Sequence, residues 1–194
     1  MTIETATETR SQRLKAATRD SHGALDKRIM AGDIFASRGQ FARFVRVQYR
    51  FHRDIDALYD SPGLDALLPD LEGRRRLPQI SRDLVDLEQA LPTAAAAPLQ
   101  PDLPLPVALG WLYVAEGSNL GGTILYKMAA KLGLDAGFGA RHLAAHPDGA
   151  ARHWREFTAA LDSVVLSAGQ EQQVIDAADA AFRSVHGHVE EEFA

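Results

Sequence analysis

Apolar residues recur every three to four positions through most of this 194-residue chain, a spacing typical of helices that bury one face. This pattern predicts helices at residues 11–29, 37–58, 81–91, 107–132, 150–166 and 170–188, with a shorter helical piece before Pro69. The sequence has no run of alternating apolar and polar residues bounded by hairpin turns. We therefore predict an all-α fold of about six to eight helices.

The length favours one domain over two domains with separate cores. Residues 1–194 are predicted to form that domain, with residues 1–9 as a frayed tail. The segment Thr93–Pro106 is rich in alanine and proline. We interpret it as a linker or an extended segment along the wall, because the apolar helix that follows needs partners to cover it.

The predicted helix Val107–Leu132 contains an unusual cluster of glycines: Gly110, Gly117, Gly121 and Gly122. Each glycine inside a helix costs on the order of 0.5–1 kcal/mol relative to alanine, so the cluster needs a packing or a functional reason. Two interpretations are open. Another helix packs closely against the small residues, or a flat ligand lies against bare backbone where the helix kinks.

Ser37 and Gln40 form a capping-box signature at the start of the second predicted helix. The polar face of this helix carries four arginines at helical spacing: Arg43, Arg46, Arg50 and Arg53. This arrangement is typical either of a solvated helix face or of a docking surface for an acidic partner.

Composition excludes several classes of site. The chain has no cysteine, which rules out disulfides, zinc–thiolate sites, thiolate nucleophiles and a cysteine ligand to haem iron. A net charge of −5 argues against general binding to nucleic acid. The N-terminus lacks the layout of a secretory signal and no apolar run is long enough to span a bilayer, so we expect a cytoplasmic protein without membrane contact.

Of the seven histidines, only His22 occurs in an informative context. The periodicity of the first helix places it at the centre of the apolar face, which predicts that its side chain points inward. A histidine in such a position is often a hydrogen-bonded core residue. Together with the glycine-rich helix, however, it is consistent with a haem held between an imidazole and glycine backbone. Ser118 does not lie in a GxSxG nucleophile motif.

Four segments resemble the bacterial haem oxygenases: LKAATRDSH, FASRGQFARFVRVQYRFHRDIDALY, ALGWLYVAEGSNLGG and FGARHLAAHPDG. They follow one another in the family's order and span nearly the whole chain. The resemblance implies an all-α fold in which haem lies between a proximal helix and a kinked distal helix. It also implies that haem is both cofactor and substrate.

The resemblance assigns roles to individual residues. His22 matches the proximal ligand, the only protein ligand to the iron. Gly117, Ser118 and Gly121 match the distal segment that touches the face of the haem. Asn119 matches a polar position in the distal water network of some relatives.

Two further positions match residues that hold the haem propionates. Lys15 corresponds to a basic residue and Tyr113 to a hydroxyl group, a combination found in relatives that cleave the α-meso bridge. Relatives that cleave another bridge use lysines at positions that are Met30 and Met128 here. The resemblance therefore implies biliverdin IXα as the product.

The implied activity is a monooxygenase reaction that opens haem to biliverdin and releases iron and carbon monoxide. It consumes dioxygen and electrons, and the sequence has no GxGxxG motif after a strand that would bind a nicotinamide or flavin. We therefore expect a separate electron donor, such as a ferredoxin or a reductase. The alternative is a carrier or sensor that binds haem in the same fold without degrading it.

Overall fold

The computed structural model describes residues 8–93 and 97–194, and these form α-helices and short 3₁₀ segments. The α-helices are α1 (Arg10–Ala17), α2 (Arg19–Ala31), α3 (Arg38–Ile55), α4 (Pro62–Asp65), α5 (Leu71–Arg74), α6 (Leu77–Asp86), α7 (Leu105–Ala129), α8 (Ala150–Ser163) and α9 (Ala168–Phe193). The 3₁₀ segments are Asp56–Asp60, Ala130–Leu132 and Arg141–Leu143. Within the described ranges no strand is formed, which confirms the predicted all-α class.

The predicted tail is ordered at its end, since Thr9 caps α1 through a capping box with Gln12. Residues 1–7 of that tail lie outside the described residues. The first predicted helix is divided at Thr18, whose backbone leaves helical geometry at φ −96° and ψ 7°. The Thr18 hydroxyl donates to the Leu14 carbonyl at 2.8 Å, a local bond by which threonine competes with regular helix.

The helix α6 begins four residues earlier than the predicted start at Ser81 and ends at Asp86 rather than Leu91. Pro78 lies in its first turn, where the missing N–H costs nothing, instead of preceding the helix. Glu88 adopts φ 56°, a left-handed conformation that prevents the helix from continuing.

The two longest helices, α7 and α9, pack against each other and form the centre of the larger apolar core. Gly110 makes their close approach possible: a Cβ there would lie 2.4 Å from the Val174 carbonyl oxygen and 2.6 Å from the Ala177 Cβ. The predicted long helix is thus confirmed, and it continues as the 3₁₀ segment Ala130–Leu132 before Gly133 turns the chain at φ 71°.

The helix α2 runs parallel to α9, as contacts in the same order along both helices show. Ser21 Oγ donates to Asp179 at 3.0 Å, and Arg28 Nε donates to Glu190 at 2.5 Å. Helix α9 therefore supports both α2 and α7.

The arginine face of α3 is neither a solvated surface nor an open docking surface, because it holds the C-terminal end of α9. Arg46 Nε and Arg50 Nε each donate to the Glu192 carboxylate at 2.7 Å, and Arg43 Nε donates to the Glu192 carbonyl at 2.5 Å. Burial raises the pKa of Glu192, but the bonds from Arg46 and Arg50 outweigh it and the pKa is lowered. The fourth arginine pairs with the acidic residue that follows it.

The chain between α6 and α7 follows the prediction of an extended segment along the wall. The Leu99 N–H donates to the Asp54 carbonyl at 2.8 Å, and Leu99 and Leu103 pack against the core. Residues 94–96 of the predicted linker lie outside the described residues. None of the described helices is long and apolar enough to cross a membrane.

Candidate haem site

The candidate site begins where Thr18, between α1 and α2, touches α7. Tyr113 on α7 is 8% exposed, and its hydroxyl interacts with the side chain of Thr18, which precedes α2. Burial raises the pKa of Tyr113, and Thr18 lowers it by less. Beyond this contact each helix continues along α9 with an exposed surface.

His22 lies one turn beyond Thr18, and its side chain is 61% exposed. The prediction that it points inward is wrong, because Leu25 is the buried residue of α2 and His22 lies at the edge of the packed face. Its Nδ1 is 3.3 Å from Asp26 Oδ2, and its ring meets the edge of Phe182 on α9 at 5.8 Å and 86°. Phe182 thus supports one edge of the imidazole, and the rest of the ring is accessible to solvent.

The glycines of α7 divide into two groups. A Cβ at Gly122 would touch Leu143 at 3.4 Å, so this position packs within the protein, as Gly110 does. A Cβ at Gly121 would meet nothing within 4 Å, and the nearest atom to one at Gly117 is a tryptophan ring carbon at 4.0 Å. Ser118, between them, is also exposed. Only Gly117 and Gly121 therefore present bare backbone to open space.

Asn119 is linked to a buried ion pair behind α7. Its Nδ2 donates to Glu116 Oε1 at 3.3 Å, while Arg74 Nη1 donates to Glu116 Oε2 at 2.6 Å. Glu116 and Arg74 are 3% and 1% exposed. Burial raises the pKa of Glu116, and the charge of Arg74 opposes this. The Glu116–Arg74 pair thus anchors α7 on its buried side, immediately before Gly117.

Several buried polar atoms near this pair have no protein partner among the described residues: His52 Nδ1, Tyr59 Oη, Arg76 Nε and His142 Nε2. Burial, together with His142 and Arg76, lowers the pKa of His52 to about 3, so His52 is neutral. Buried polar atoms of this kind are normally satisfied by ordered water. A cavity of about 10 Å³, the size that holds one water, is lined by Arg76, Glu116 and Asn119.

The sequence analysis did not identify Glu116, Arg74 or His52 as site residues. The available signal was weak: Glu116 occurs within the quoted glycine motif, and Arg74 begins a run of three arginines. Charged side chains are rarely buried unless they are paired, and the two partners are 42 residues apart. Periodicity along one helix carries no information on such a pair.

The predicted propionate-binding residues differ in exposure. Lys15 on α1 is exposed, whereas Tyr113 is buried. Met30 is 47% exposed and Met128 is partly buried.

The residues present fit a haem group. An accessible imidazole on α2 could bind the iron, and the open backbone at Gly117 and Gly121 leaves room for a flat ring against α7. Thr18, which precedes α2, contacts Tyr113 on α7, and both helices pack against α9.

Comparison with known proteins identifies a family for the chain. The haem oxygenase family model matches residues 8–191. Haem oxygenase PigA of Pseudomonas aeruginosa is 42% identical over 185 residues, covering 95% of this chain and 93% of that protein. A haem oxygenase of Xanthomonas campestris is 33% identical over 113 residues, covering 58% of this chain and 66% of that protein.

Solved structures show the same fold. The haem oxygenase of Neisseria meningitidis, determined with NO and CO bound, matches with a TM-score of 0.88 at 36% identity, covering 95% of this chain and 92% of that chain. Haem oxygenase-1 of the cyanobacterium Synechocystis, solved in complex with haem, matches with a TM-score of 0.70 at 17% identity, covering 94% and 91%. At that identity the second match speaks for the fold alone.

Proposed function

This chain belongs to the haem oxygenase family and is a haem-degrading enzyme, and on that basis we propose that it opens haem to biliverdin with release of iron and carbon monoxide. The observation that carries the proposal is the accessible His22 imidazole on α2 together with the open backbone of Gly117 and Gly121 on α7, two helices that both pack against α9. Bound haem supplies the iron that activates dioxygen, and the ring itself is the substrate.

We propose that His22 is the sole protein ligand to the iron, through Nε2. Its Nδ1 faces Asp26 Oδ2 at 3.3 Å, so the Nδ1–H can donate to the carboxylate. A carboxylate behind a metal-bound histidine fixes the tautomer and the ring orientation. A thiolate ligand donates electron density strongly to the iron and so favours cleavage of the O–O bond. Neutral imidazole donates less.

On the distal side, the proposed role of Gly117, Ser118 and Gly121 is to lie against the ring and leave space over one meso edge. Asn119 belongs to the hydrogen-bond network behind them, held by Glu116 and Arg74. Such a wall could offer hydrogen bonds to a ligand on the distal side without placing a strongly acidic side chain beside it. The buried, unpartnered polar atoms of His52, Tyr59 and Arg76 would join this network through ordered water.

Addition of haem to the purified protein tests the proposal in two steps. A Soret band shows haem binding, and ascorbate or a reductase with a ferredoxin then supplies electrons in air. A haem oxygenase loses the Soret band and produces biliverdin. A carrier or sensor keeps the band without forming biliverdin, and this outcome would overturn the proposed activity.

We further propose that the product is mainly biliverdin IXα. The orientation of haem in the pocket decides which meso carbon is attacked, and an exposed cation at Lys15 favours the seating found in α-selective relatives. An exposed ion pair contributes about 0.2–1 kcal/mol, and about 1.4 kcal/mol shifts an equilibrium tenfold, so Lys15 biases the orientation without making it absolute.

Chromatography of the extracted product should therefore show mainly the α isomer. Lys15→Asn combined with Tyr113→Phe should raise the minor isomers severalfold, while Arg82→Gln, which removes an exposed cation on α6, a helix that packs against α3 rather than α2, should leave the product ratio unchanged. A wild-type product dominated by the β or δ isomer would refute this account of the propionate contacts.

A further inference from the structure

Three side chains with metal-ligating atoms meet beside the cavity behind α7. Asp70 precedes α5, His146 precedes α8 and His153 lies on α8, and one ligand atom from each lies within 4.8 Å of the others. Asp70 Oδ2 is 3.6 Å from His146 Nε2 and 3.7 Å from His153 Nε2. We propose that these three residues bind a divalent first-row transition-metal ion at a site separate from His22. Two imidazoles and one carboxylate suit ions such as Zn²⁺, Co²⁺ or Fe²⁺.

His153 provides the fixed ligand of the site. Its side chain is 6% exposed, and its Nε2 is buried without a hydrogen-bond partner among the described residues. A buried nitrogen of this kind normally has a partner. Burial, reinforced by the nearby Arg74, lowers the pKa of His153 to about 4. The unpartnered Nε2, directed at Asp70, is the atom that would bind the ion.

Asp70 is held in place by its backbone and by Gly73. Its φ of 54° is left-handed, and its carboxylate lies over Gly73, where a Cβ would be 2.2 Å from Oδ2. Although Asp70 precedes α5, its side chain makes no capping bond to that helix. The carboxylate thus remains available to a ligand and faces both histidines.

His146 is the adaptable ligand. Its ring stacks on His153 at 4.2 Å with an interplanar angle of 9°, so the two rings are nearly parallel. One ion needs converging lone pairs, and His146 must therefore tilt out of the stack when the ion binds. It lies outside helical structure and is 22% exposed, which allows this movement. Its Nδ1 accepts from the Asp148 N–H at 3.2 Å and lies 3.9 Å from Asp148 Oδ2, a carboxylate that can accept an Nδ1 proton after the tilt.

The charges around the site are balanced. Arg74 and Arg76 are close enough to lower the pKa of His153 and would repel a cation, whereas Asp70 and Glu116 carry the opposite charge. The affinity must therefore come from the three ligand bonds rather than from an excess of negative charge. Loss of a single ligand should consequently weaken binding strongly.

The site is tested by titrating Co²⁺ into the full-length, untagged, haem-free protein. The visible absorption bands of Co²⁺ report its coordination. We expect one equivalent to bind and Zn²⁺ to displace it. Asp70→Asn keeps a residue that tolerates left-handed backbone, and His146→Ala changes a partly exposed side chain. Each should weaken Co²⁺ binding by at least about tenfold.

Two variants serve as controls. His186, like His22, is an exposed helical histidine with a carboxylate four residues later. His186→Ala and His22→Ala should both retain Co²⁺ affinity, and circular dichroism should show the native helix content in every variant. The absence of stoichiometric binding, unchanged affinity in both Asp70→Asn and His146→Ala, or loss of binding in either control would overturn the proposal.

Discussion

Replacing His22 with alanine should reduce haem turnover by more than about 100-fold. Even outer partners of a metal ligand are commonly worth about 10–100-fold, and His22 is the proposed ligand itself. The side chain is 61% exposed and makes one ring contact, with Phe182. The free energy of unfolding of the haem-free variant should therefore stay within about 0.5 kcal/mol of the parent value. Biliverdin production and chemical denaturation measure the two effects.

His186 provides the matched control for this variant. Its side chain is 45% exposed on α9 and lies 4.0 Å from Glu190, four residues later, much as His22 faces Asp26. His186→Ala should bind and degrade haem normally. Added imidazole should restore a Soret band in His22→Ala, because the position is open to solvent. Biliverdin formation at the normal rate by His22→Ala would show that the iron has another ligand.

Much of the fold was predictable because helical periodicity is a local signal. The six long predicted segments all correspond to helices, although the first is divided at Thr18 and the third is shifted along the chain. The division depends on a side-chain bond from Thr18 to Leu14, which apolar spacing does not report. The role of the α3 arginines also depends on a distant partner, Glu192 at the end of α9.

The candidate site was less predictable because it depends on what covers each helix face. Periodicity placed His22 at the centre of a buried face, whereas its side chain lies at the exposed edge of the packed face. Buried Glu116 and Arg74 are polar residues in the core, which a hydrophobic pattern treats as surface. Their pairing across 42 residues is a tertiary contact.

The spacing of the glycines along α7 also could not show which of them pack against the protein and which face open space. A Cβ at Gly110 would lie 2.4 Å from the Val174 carbonyl oxygen and 2.8 Å from the Ala178 nitrogen, both of them backbone atoms of α9. A Cβ at Gly121 would meet nothing within 4 Å. Packing therefore explains Gly110, whereas no packing contact explains Gly121, the position we propose lies against the haem.

Substitution at these two glycines should have opposite effects. Gly110→Ala should lower the free energy of unfolding by about 1–3 kcal/mol, the typical cost of overpacking, because α9 must move. Gly121→Ala should raise it by about 0.5–1 kcal/mol through helix propensity alone, since nothing obstructs the added methyl group. Urea denaturation of the haem-free proteins measures both changes.

Haem turnover should respond in the opposite way: a bulky residue at Gly121 should lower it, and Gly110→Ala should not. In Gly121→Phe the ring would occupy the space proposed for the haem face, so turnover should fall and the spectrum of the oxygen-bound form should change, while the protein remains folded. Folded Gly110→Ala should keep normal turnover, because Gly110 contacts α9 rather than the proposed pocket. If Gly121→Phe is folded and degrades haem at the parent rate, the bare backbone at this position does not face the ring, and the proposed distal contact is wrong.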